Sequence, residues 1–102
     1  MQIIKDLSEY IDEELGDSQK YAKKALCFKT ENPSLAQLFY QLSIEEMDHM
    51  NRLHNEVERV ILKYQEKGAE APEGMMLAYE ILHSRAIEWA KEIKVMQAMF
   101  RE

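Results

Sequence analysis

The chain holds one cysteine, two prolines and three glycines, and no apolar run long enough to span a bilayer. Each scarcity excludes something. A lone Cys27 cannot close an intrachain disulfide, nor build a cysteine-based zinc site within one chain. A reducing cytoplasm is therefore the expected compartment. Basic charge is also short, 13 Lys and Arg against 19 Asp and Glu for a formal net charge of -6. Nucleic-acid binding uses a basic face and is not expected. Lys5 and Asp6 interrupt the N-terminus before an apolar signal core can form, so neither signal-peptide export nor membrane insertion is expected.

What remains is a composition suited to helices. The 102 residues are 46% hydrophobic and 31% charged, enough for one domain with a single modest core. Two turn signals divide them. Asn32 suits a helix N-cap and Pro33 a first helical position. The stretch Gly68 to Gly74, GAEAPEG, stops one helix and precedes another. Helices are predicted over about 2–30, 33–67 and 74–101, giving an all-α fold: an antiparallel helical hairpin plus a third helix.

Apolar periodicity then picks out polar residues where apolar ones belong. In the first helix Ile4, Leu7, Ile11, Glu14, Ser18, Tyr21, Ala25 and Phe28 form one stripe. Glu14 sits in its middle, and a carboxylate turned inward is costly unless paired or coordinated. In the second helix the stripe is Phe39, Leu42, Glu46, His49, Leu53, Val57 and Val60. A second row, Ala36, Tyr40, Met47, Met50 and Ile61, widens that helix's buried face, and its methionines offer an apolar surface for pairing between chains. The third helix carries Met75, Tyr79, Leu82, Ala86, Trp89, Ile93, Met96 and Phe100, beside a row of Met76, Glu80, His83, Ile87 and Ala90.

Heights along the hairpin bring three of the polar residues together. At the α-helical rise, Glu14 lies about 24 Å before the turn, with Glu46 about 20 Å and His49 about 24 Å after it. The second Glu-x-x-His pair, Glu80 and His83, falls at another level, where Glu58 is the expected partner of His83. Spacing of i, i+3 puts a carboxylate and an imidazole on one helix face. Bundles with a di-metal carboxylate centre take one Glu from each of two helices and a Glu-x-x-His from each of two others. One copy of this chain supplies half of that set, and a two-fold dimer supplies all of it.

The stretches ELGDSQKYAKKA (Glu14 to Ala25) and IEEMDHMNRL (Ile44 to Leu53) resemble the ferritin-like superfamily. The resemblance is to half-bundle members such as encapsulated ferritins, and more distantly to rubrerythrins; it spans about half the chain. It implies a ferritin-like half-bundle completed by dimerisation, with metal ligands at Glu14, Glu46 and His49 that also serve as the catalytic residues. The implied chemistry is ferroxidase: a di-iron centre oxidising ferrous iron with dioxygen or peroxide. Tyr21 matches a position where such proteins keep a tyrosine near the metals. The C-terminal VMQAMFRE lacks the Gly-Ser-Leu-type extension that docks cargo in a shell, so an encapsulin shell is not expected as a partner.

Other readings of the same residues stay open. Carboxylate and imidazole also accept manganese or zinc. Glu80 and His83 are secondary candidates for metal binding, or a salt-bridged or capping pair. His54 is expected as an interface histidine, and Cys27 as a small packed apolar residue. A homodimer or higher homo-oligomer fits either function. The alternative to an enzyme is a helical assembly or adaptor module whose Glu/His cluster is a structural metal site or a buried polar network.

Overall fold

A computed structural model describes residues 2–66 and 73–102, and of residues 73–75 and 78 the backbone alone. Three helices account for nearly all of them: α1 (Gln2–Phe28), α2 (Pro33–Glu66) and α3 (Glu73–Arg101), with no strand among the described residues. The expected boundaries fall within two residues of these. The turn from Gly68 to Pro72, the predicted helical position Lys67 and the side chain of Met75 lie outside the described residues. No described helix is long and apolar enough to cross a membrane.

Asn32 explains where α1 ends and α2 begins. Its backbone N–H donates to the Phe28 carbonyl at 2.9 Å, closing α1. Its side-chain oxygen accepts the Leu35 N–H at 3.3 Å, capping α2. Pro33 at the first position of α2 has no N–H to satisfy, and its fixed φ suits a helix start.

Contacts between α1 and α2 advance along one helix as they retreat along the other. Phe28 and Tyr21 stack on Phe39 at 6.2 and 6.1 Å. Ser18 then meets Ser43, and Glu14 lies against His49. Small side chains line the seam: Ser18, Ala22 and Ala25 from α1, Ala36 and Ser43 from α2, all buried. They let the two backbones approach closely. The serine hydroxyls donate to each other's backbone carbonyls, both at 2.8 Å, and Gln97 of α3 donates to Ser43 Oγ at 2.9 Å. A buried polar cluster is tolerated here because its hydrogen bonds stay within it.

This small-residue seam shifts the buried rows from those the periodicity suggested. On α1, Leu15 and Ala22 go to the core while Glu14 and Tyr21 are only half-buried. On α2 the deep row is Ala36, Ser43, Met47, Met50 and Val57. Met47 and Met50 thus belong to the chain's own core and offer no surface to a second chain. The row from Phe39 to His49 runs along the flank. Cys27 is exposed, against expectation, because Ala25 and Phe28 take the inward directions on its helix turn.

On α3 the expected stripe turns slightly: Ala90, Ile93 and Gln97 are buried, with Tyr79, Ala86, Trp89 and Met96 packed against them. This helix lies mainly on α1, where Trp89 covers Gly16 and donates its indole N–H to Gln19 at 3.2 Å. One end of the bundle is closed by Lys29, which donates to the Met99 and Glu102 carbonyls at 3.2 and 2.7 Å. A cation there also complements the negative end of the α3 dipole. Beside it Tyr40 stacks on Phe100 at 4.7 Å and accepts a hydrogen bond from Arg101 at 2.8 Å.

The result is a rod of 56 × 19 × 17 Å with a radius of gyration of 16.4 Å. A compact domain of this length has about 13 Å. A thin bundle leaves apolar side chains uncovered, among them Ile3, Tyr10, Leu38, Ile44, Leu62, Leu77 and Ile81.

Candidate metal centre

Glu14 of α1 and Glu46 and His49 of α2 converge on the flank of the α1–α2 seam. One ligand atom from each lies within 4.8 Å of the other two. His49 Nδ1 stands 3.6 Å from Glu14 Oε2 and 3.6 Å from Glu46 Oε2. The i, i+3 spacing on α2 places the last two on one face, and the contact register of the helices brings Glu14 to their height. The three are not deeply sunk: the side chains are 26%, 21% and 50% exposed for Glu14, Glu46 and His49. The imidazole therefore faces outward from the bundle, over the two carboxylates.

Glu14 Oε2 is buried, and no group among the described residues donates a hydrogen bond to it. A proton between the two carboxyl groups answers this in part. Glu14 is accordingly raised to about 7, first by the hydrogen bond it shares with Glu46, then by burial and the Glu46 charge, while His49 pulls the other way. Two oxygen donors, one nitrogen donor and an orphaned buried carboxylate oxygen suit a divalent cation of the iron, manganese or zinc kind. Three donors do not fill the coordination shell of such an ion, so the set in one chain is a partial one.

The remaining candidates lie elsewhere. Glu80 is exposed and does not reach the cluster. His83 turns into the seam between α2 and α3, and its partner is His54, whose Nε2 lies 2.8 Å from His83 Nδ1. Glu58, expected beside His83, instead sits 3.7 Å from His54 Nδ1, one turn further along the same helix. His54 is therefore half-buried within its own chain. Tyr21, half-buried, stacks on Phe39 at 6.1 Å.

Sequence reasoning missed the pairing of the two histidines. Its signal was their presence at similar heights on neighbouring helices, which the search for carboxylate partners passed over. Comparison with protein-family models, with curated proteins and with solved structures gives no match for this chain.

Proposed function

We propose that the chain is an antiparallel helical hairpin with a third helix, a ferritin-like half-bundle that pairs with a second copy to bind and oxidise ferrous iron. The observation that carries this reading is the Glu14–Glu46–His49 cluster with its orphaned carboxylate oxygen. Glu14 and Glu46 would hold cations through oxygen and His49 through a ring nitrogen. Two copies facing each other would supply four carboxylates and two imidazoles, the set used by bundle di-metal centres.

The surface around the cluster supports a second copy. Tyr10, one helical turn before Glu14, is 54% exposed, and Ile44, two residues before Glu46, is exposed as well. Burying such side chains stabilises association at roughly 25 cal/mol per Å² of apolar area removed from water. Covering this face also takes His49 out of solvent, which strengthens its interaction with the carboxylates.

In this account ferrous iron is the substrate and dioxygen or peroxide the oxidant. Two ferrous ions held side by side deliver two electrons together, the number that reduces one peroxide to water. The chain's own part is to gather the ions with an acidic surface, to neutralise their charge with carboxylates, and to release the Glu14 proton as a cation enters. Manganese or zinc would occupy the same donors without this turnover.

The Glu46→Ala/His49→Ala double variant separates enzyme from structural module. The enzyme reading expects oxygen consumption with ferrous iron to vanish while helicity and oligomer persist. If the parent shows no oxidation and the variant loses only assembly, the cluster is structural and the chain an assembly module.

A further inference from the structure

The opposite flank of the molecule carries a second arrangement of ligating side chains. His54 on α2 and His83 on α3 face each other across the seam between those helices, with Nε2 of the first 2.8 Å from Nδ1 of the second. Their rings stand 4.6 Å apart, and Tyr79 stacks on the far side of His83 at 5.5 Å. Both rings open onto a groove of about 290 Å³ between α2 and α3, whose wall includes Met50, Asn51, Ile87 and Lys94.

Proton placement decides what the pair can bind. Glu58 Oε1 lies 3.7 Å from His54 Nδ1. A carboxylate there favours a proton on Nδ1 and leaves Nε2 as a lone pair aimed at His83. Where His54 Nε2 is the acceptor, the proton of the pair lies on His83 Nδ1. Moving that proton to Nε2 leaves two lone pairs converging on one point. At 3.7 Å Glu58 acts on the His54 ring through its charge and makes no hydrogen bond to it. Burial, then His83, lowers the pKa of His54, against the pull of Glu58.

We propose that His54 Nε2 and His83 Nδ1 form a cation site separate from the carboxylate cluster and open to the α2–α3 groove. Its ligand class is a divalent transition metal that accepts imidazole, such as nickel, cupric copper or zinc. Two metal–nitrogen bonds of about 2.0–2.1 Å hold the nitrogens about 2.9–3.4 Å apart, so the hydrogen-bonded rings need separate only slightly to admit one ion. Solvent in the groove completes the coordination. Bound there, the ion ties α2 to α3 beside their direct packing.

The test uses the full chain carrying His49→Ala, which leaves His54 and His83 as its only imidazoles, with nickel(II) as the probe. Calorimetry is expected to give one nickel per chain, with no binding at the same concentrations once His83→Ala is added. Glu58→Gln, which removes a nearby charge and no ligand, is expected to leave the stoichiometry at one nickel per chain. Nickel is also expected to broaden the ring proton resonances of both His54 and His83 in the His49→Ala chain, a readout that needs no further variant. Undiminished affinity after His83→Ala overturns the proposal. So does nickel binding that leaves either ring signal sharp, and so does absence of binding to the His49→Ala chain.

Discussion

His49 Nδ1 lies 3.6 Å from Glu14 Oε2, a buried oxygen to which no group among the described residues donates a hydrogen bond. The two come from different helices, and the approach depends on the register between α1 and α2. Much of what the molecule can do follows from how that oxygen is satisfied: by a proton shared with Glu46, or by a cation.

The proton leaves a signature in stability. With the Glu14 carboxyl raised from 4.5 to about 7 in the fold, the folded chain keeps a proton that the unfolded chain releases between those values. Stability from this group is fully present below about pH 4.5 and is lost as pH rises through about 7. Urea midpoints of the metal-free protein are expected to fall across that window, and Glu14→Gln to flatten the fall. Cation binding should strengthen over the same range, since the ion displaces the proton.

Ser43 holds α1, α2 and α3 together at one level through its bonds to Ser18 and Gln97. Ser43→Ala leaves the Gln97 amide without its buried acceptor. A loss of about 1–3 kcal/mol in chemical denaturation is expected. A double-mutant cycle with Gln97→Leu should show strong coupling, because removing both ends leaves fewer unpaired groups.

Gly16 is a helix-interior glycine whose absent Cβ would meet the Trp89 ring at 3.8 Å, an ordinary contact distance. Gly16→Ala is therefore expected to raise stability by about 0.5–1 kcal/mol. Thermal and urea unfolding of the variant measure it directly.

Leu15 is fully buried and Cys27 exposed. Leu15→Ala is expected to cost about 2–5 kcal/mol. Cys27→Ala should stay within about 0.5 kcal/mol of the parent. Comparing their denaturation midpoints checks the rotation of α1 that the packing imposes.

The helices were legible in the sequence because their stop signals are local. Asn32 and Pro33 act through bonds within four residues, and composition left no competing strand. The meeting of Glu14 with Glu46 and His49 was legible too, since constant helical rise converts residue count to height. The rotation of each helix was not. Apolar periodicity on α1 accommodates either a row through Glu14 and Tyr21 or one through Leu15 and Ala22. Choosing between them requires knowing that Ser18 and Ser43 bond to each other and draw the backbones together. The same blindness placed Met47 and Met50 on a pairing surface and left the His54–His83 contact unseen, because side-chain pairing across α2 and α3 depends on rotation about each axis.

We propose that two copies of the chain build one iron-oxidising centre from Glu14, Glu46 and His49. The most direct measurement is anaerobic ferrous titration of chelator-free protein with solution mass recorded at each step. The account predicts about one tightly bound iron per chain, a mass of at least two chains at saturation, and oxygen uptake when air is admitted. A monomer that takes up no iron and consumes no oxygen would contradict it.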